Sequence, residues 1–148
     1  MKNPPTYDDA GLVLKLYDLR REETLRTARK WFAAIPAQQS REEWLKLCPP
    51  GSDENTWFRM VTSYWDMASS FVVTGVLNRE LFYRANNNEL LFVWERVRRI
   101  VPEIREANKN LLYLTNLEHV AKDFIDWLTQ YAPEYYEQIA ATIARIPR

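Results

Sequence analysis

Between Thr56 and Val76 the chain runs TWFRMVTSYWDMASSFVVTGV, and apolar residues cover about half of the circumference this stretch has when wound as a helix. At ~100° per residue, Trp57, Val61, Tyr64, Ala68, Phe71 and Gly75 share one line. Phe58, Trp65 and Val72 flank that line on one side, and Met60 and Met67 on the other. A helix with so wide an apolar face needs partners on several sides, so the rest of the chain is expected to pack around it. Arg59, Ser63, Asp66 and Ser70 form the remaining polar strip, whose simplest role is a solvent face.

The surroundings of this helix are expected to be helical too. Three glycines in 148 residues and few alternating apolar and polar runs leave too little turn chemistry for a sheet protein, which needs turns every ~8–12 residues. The expected fold class is all-α: a single-domain helical bundle of about six to seven helices, two of them short. A flexible arm is expected over Met1 to Pro5, with one helical domain over residues 6–146. Six Trp, eight Tyr and six Phe suit a core filled by large rings, Tyr and Trp keeping a polar end for the surface.

Start and stop signals divide the chain. Thr6 to Asp9 resembles a capping box with Asp in the place of the usual Glu or Gln. A long first helix follows, its apolar line moving from Leu12, Leu16 and Leu19 to Ala28, Trp31, Phe32 and Ile35, so that its halves face different partners or the helix bends. Ser40 to Glu43 is a second box, opening a short helix that Cys48-Pro-Pro-Gly-Ser52 stops. Ser52 or Asp53 caps the central helix. Gly75 is expected to end it in the left-handed region with Val76 folding back toward Phe71, or else to lie inside the helix where a neighbour comes close. Asn78 suits the cap of a short helix over Arg79 to Arg84, and Asn86-Asn87-Asn88 a turn followed by another cap. Leu90, Trp94, Val97, Val101 and Ile104 then mark a second long helix, which Pro102 either kinks or restarts. Thr115 to Glu118 forms a third box before the stripe Leu117, Val120, Ala121, Phe124, Leu128 and Tyr131, and Pro133 suits the first turn of a last helix.

Chemistry is sparse. Cys48 is the single cysteine, which excludes an intrachain disulfide and a multi-cysteine zinc site. No histidine stands near it in sequence to activate its thiol. His119, Asp123 and Asp126 form a row along one helix edge, the nearest approach to a metal or acid–base constellation. One histidine without the Glu-x-x-His repeats of di-metal bundles reads better as a surface edge with an i,i+4 ion pair. Glu95 and Asp123 are a further carboxylate pair that the fold could unite. Arg96, Arg98, Arg99 and Arg105 invite an anion or nucleic-acid reading, but the interleaved Glu95, Glu103 and Glu106 favour a solvated face. Gly-rich phosphate loops, nucleophile elbows, HExxH and Asp-rich calcium loops are missing. No catalytic, cofactor-binding or metal residue is therefore assigned.

Twenty basic and twenty acidic side chains cancel, so general affinity for nucleic acid is not expected. The N-terminal MKNPPTYDDAG lacks the apolar core of a signal peptide, and no apolar run approaches the ~20 residues of a membrane span. A cytoplasmic location without membrane insertion is expected. The stretch Gly75-Val-Leu-Asn-Arg-Glu-Leu81 followed by Trp94-Glu-Arg-Val-Arg-Arg-Ile-Val-Pro102-Glu-Ile-Arg105 resembles the bacterial helical family known as domain of unknown function 4760. The resemblance extends over roughly Arg20 to Tyr131 and implies a helical domain with no assigned activity or site residue. The expected function is a regulatory or protein-interaction module, more consistent with binding than with catalysis. Its partner would be another protein chain or a second copy, meeting aromatic surface left uncovered among Trp44, Trp65, Val73, Trp127, Tyr135 and Tyr136. The alternative is a metal- or ligand-binding bundle with hydrolase activity using His119 and Asp123.

Overall fold

A computed structural model describes residues 3–148, and among these the chain forms nine helices and no strand. In order they are α1 (Tyr7–Arg20), α2 (Glu23–Ala34), α3 (Arg41–Leu47), α4 (Asp53–Val73), α5 (Arg79–Arg84), α6 (Glu89–Val97), α7 (Val101–Asn108), α8 (Thr115–Tyr131) and α9 (Tyr135–Ala144). The all-α class holds, while the expected count of six to seven is too low because both long helices are broken. The first breaks at Arg21 and Glu22, where the Glu22 carboxylate accepts from the N–H groups of Thr24 and Leu25 and so starts α2. That break explains the drifting apolar line. The second breaks before Val101, and Pro102 sits in the first turn of α7, where its missing N–H costs nothing.

Four local caps form where the sequence places them. Thr6 and Asp9 make a reciprocal box, Ser40 and Ser52 accept from N–H groups three residues on, and the Asn78 amide oxygen accepts from Leu81. Gly75 ends α4 with φ +80°, and its N–H donates to Val72. The residue folding back onto Phe71 is Leu77, whose N–H donates to that carbonyl at 2.8 Å. Val76, expected in this role, is exposed, whereas Leu77 is buried. Added bulk at Gly75 would meet nothing, so the close-approach alternative does not apply.

Other expected caps are not made. Thr115 is the first residue of α8, its N-cap position is Leu114 in the left-handed region, and no side chain of the Thr115–Glu118 segment caps the helix. Asn88 makes no capping bond either, although Asn86 does turn the chain at φ +61°. Pro133 precedes α9 by two residues and lies outside it.

Helix α4 lies between α2 and α8, while α6 bridges α8 and α9. Phe58, Val61, Trp65 and Ala68 of α4 are buried. They meet Phe32 of α2, whose ring centroid lies 5.5 Å from that of Phe58, and other rings such as Trp44 at the same distance. A second aromatic cluster joins α5 to α8, with Tyr83 stacked on Phe124 at 4.3 Å and Trp127 alongside. Helix α1 makes its principal contacts with α2 and α5. Leu16 and Arg20 are its buried residues, tied down by the Tyr64 hydroxyl donating to the Leu16 carbonyl at 2.6 Å and by the Arg20 guanidinium over the Trp65 ring. Met1 and Lys2 of the expected arm lie outside the described residues, while Asn3 accepts from the Asn78 side chain.

Candidate functional site

The residues singled out for chemistry are dispersed by the fold. His119 and Asp126 are exposed. Asp123 turns to α5 instead, accepting from Arg79 Nη1 at 2.9 Å with both oxygens and from the Tyr83 hydroxyl. Burial first, and that bond second, drive the Tyr83 phenol far above its usual range. The expected i,i+4 pair between His119 and Asp123 is thus replaced by a contact between helices. Among the described residues no group of three His, Cys, Asp or Glu side chains is placed to hold a metal ion. Cys48 is fully buried, and desolvation pushes its thiol up to about 12, which keeps it protonated and unreactive.

The arginine-rich segment is a solvated face only in part: Arg98, Glu103 and Glu106 are exposed, but two of its members are not. Glu95 and Arg96 are buried at 3% and 4% exposure. Glu95 accepts from Arg98 at 2.9 Å, from Arg99 at 3.2 Å and from the Tyr136 hydroxyl at 2.6 Å. Burial raises its pKa, but the Tyr136 and Arg98 hydrogen bonds and the two arginine charges outweigh this and hold it below its ordinary value. Asp123 and Glu95 therefore belong to separate networks. Arg96 donates from Nε to Ile35, from Nη1 to Phe92 and from Nη2 to Ala33, all carbonyl oxygens within 3.1 Å. Two of these close the C-terminus of α2, whose last turn has no basic residue of its own. Desolvation lowers the Arg96 pKa to about 10, so the buried guanidinium stays charged at neutral pH.

Two further acids cap helices other than their own. Asp66, expected to face solvent, accepts from the Leu117 N–H at 2.9 Å at the start of α8. Glu103 accepts from the Arg41 N–H at the start of α3. Each carboxylate meets the positive end of a helix and satisfies a donor that the helix cannot.

Two features stand out for binding. One is a cleft of about 820 Å³ bounded by α2, α6 and the end of α9. Phe32, Phe92, Val93 and Ile146 supply apolar wall, and Arg26, Lys30 and Arg96 supply positive charge. Arg29, also in the lining, is held by Glu89 in a two-pronged pair with contacts of 2.6 to 3.1 Å. The other is the outer face of α1, where Tyr7 is 97% and Leu14 67% exposed. Of the aromatic patch expected elsewhere, Trp65 is buried, Trp44, Trp127, Tyr135 and Tyr136 are partly covered, and only Val73 is exposed.

The model for a family described as domain of unknown function (DUF4760) matches residues 5–127. The chain belongs to this family. No curated protein and no solved structure matches it. The match extends from before α1 to within α8, so DUF4760 takes in α1 together with the Gly75 to Arg105 motif that carried the resemblance. Helix α9 lies beyond it, and with it the Thr142 and Ile146 edge of the cleft. None of the described helices of this DUF4760 chain is long and apolar enough to cross a membrane. The α1 surface was hidden from sequence reasoning because a first helix rich in leucine reads as a core helix. Its signal was the missing single stripe: Leu12, Val13, Leu14, Leu16, Tyr17 and Leu19 cannot all face inward.

Proposed function

We propose that this domain is a homotypic interaction module in which two copies pair through the outer face of α1. The observation that carries this reading is a self-complementary pattern of large and small exposed residues. Tyr7, Gly11, Leu14 and Asp18 recur at steps of four and three along the exposed strip, with Ala10 and Tyr17 on one flank and Asp8 and Lys15 on the other. When two such helices lie antiparallel about a two-fold axis between Leu12 and Val13, Leu14 of one copy stands over Gly11 of the other. Tyr17 stands over Ala10 and Lys15 beside Asp8. Leu14 and Tyr17 thus each meet a small residue and Lys15 meets an opposite charge, twice by symmetry, while Tyr7 stands over Asp18 at the two ends of the seam.

Gly11 supports the same reading. A glycine inside a helix costs about 1 kcal/mol relative to alanine, and nothing within the chain requires it here, since an added Cβ would have no neighbour within 4 Å. The open space suits the approach of another helix. Neither Asp8 nor Lys15 takes part in a salt bridge among the described residues.

Light scattering coupled to size-exclusion chromatography over a concentration series tests the proposal. A reversible dimer is expected, and Gly11→Phe should abolish it without lowering the melting temperature of the monomer. Asp8→Lys should weaken it by about tenfold, from two surface ion pairs of ~0.2–1 kcal/mol each turned repulsive. Adding Lys15→Asp should restore it. A strict monomer at the highest concentration, or a dimer indifferent to Gly11→Phe, would sink the idea.

A further inference from the structure

We propose that the cleft between α2, α6 and the end of α9 binds a small amphiphilic carboxylate. Its head would be taken by Arg96 and its apolar body by Phe32, Phe92, Val93 and Ile146. The starting point is the buried charge of Arg96. Buried ionic groups are normally neutralised by a partner of opposite sign, yet no carboxylate lies in salt-bridge contact with this guanidinium among the described residues. Its three bonds go to backbone carbonyls. A guanidinium carries five N–H groups, so one on Nη1 and one on Nη2 have no acceptor among the described residues. Two parallel N–H groups match the two oxygens of a carboxylate.

The rest of the cleft agrees in sign and in shape. Glu89 acts on the Arg96 guanidinium only through its charge, and Arg29 already occupies its carboxylate. Arg26 and Lys30 stand one turn apart on α2, exposed and outside any salt bridge among the described residues, against the single free acid Glu23 in the lining. The surplus is positive, which favours entry of an anion. A volume of about 820 Å³ falls within the ~300–1,000 Å³ of small-molecule sites. The apolar wall gives such a ligand an area to bury, which a bare inorganic anion lacks.

Isothermal titration with octanoate, octan-1-ol and acetate separates the two halves of the proposal. Octanoate should bind at one site per chain and raise the melting temperature with dose. Octan-1-ol, with the same body and no charge, and acetate, with the charge and no body, should each bind at least tenfold more weakly. Thr142→Trp, which fills the cleft from an exposed position on α9, should remove octanoate binding while the circular dichroism spectrum stays unchanged. The double variant Arg26→Glu with Lys30→Glu, also at exposed positions, should weaken it about tenfold. Octan-1-ol binding as tightly as octanoate would overturn the assignment, as would octanoate binding that survives Thr142→Trp. Because these variants lie off α1, dimerisation and ligand binding can fail independently.

Discussion

Helices α1 and α4 both spread apolar residues around much of their circumference, yet α4 is enclosed between α2 and α8 while α1 lies across α2 and α5 with its outer side in solvent. The difference is one of supply. A helix of 21 residues with Phe58, Trp65 and Phe71 can recruit neighbours along its whole length. Helix α1 is fastened near its ends, by Asp9 accepting from the Asn78 N–H and by Leu16 and Arg20 against Tyr64 and Trp65. Between those fastenings Leu12 and Val13 pack against the core, whereas Leu14 on the outer side stays exposed. An apolar helix thus belongs to the core only where other elements are placed to cover it, and its composition does not report which case holds.

Substitution at aromatic positions should separate the two helices most widely. Trp65→Ala removes a ring that is 1% exposed and should cost roughly 3–5 kcal/mol, whereas Tyr7→Ala at 97% exposure should stay within about 0.5 kcal/mol. Urea unfolding below the dimerisation range measures both, and a comparable cost for the two would erase the contrast.

The polar strip of α4 gives a finer comparison. Asp66→Ala deletes the carboxylate that caps α8 and should destabilise by about 1–2 kcal/mol, with faster amide exchange at Leu117. Ser63→Ala, on the same strip and bonded only to the Met60 carbonyl, should change little. Equal effects would show that the cap from α4 contributes nothing.

A third comparison concerns two glycines of opposite kind, for which even the sign of the effect should differ. Gly75→Ala forces a Cβ into φ +80° and should cost about 1–2 kcal/mol. Gly11→Ala in α1, where the backbone is helical and the space open, should stabilise the monomer by ~0.5–1 kcal/mol. Thermal melts at low protein concentration read both signs. A destabilised Gly11→Ala monomer would mean that α1 is held more tightly than its contacts indicate.

Sequence alone determined the helical class, the central position of α4, the caps at Thr6, Ser40, Ser52 and Asn78, the end of α4 at Gly75 and the family. Apart from the family, which rests on a match over residues 5–127, these depend on local sequence: spacing on one cylinder, a side chain reaching its own backbone, a glycine free to adopt positive φ. Tertiary structure decided what Asp66, Glu103, Glu95 and Arg96 do. Each carries a charge that looks solvated on its own helix, and each is claimed by a helix end or side chain from another element. It also decided that α1 shows an apolar face outward and that α2, α6 and the end of α9 bound a cleft lined by a guanidinium that has no salt bridge among the described residues. The physical reason is range, since local hydrogen-bonding patterns are written in the spacing of residues, whereas the partner of a buried charge and the cover for an apolar face depend on which distant segments the packed core brings alongside.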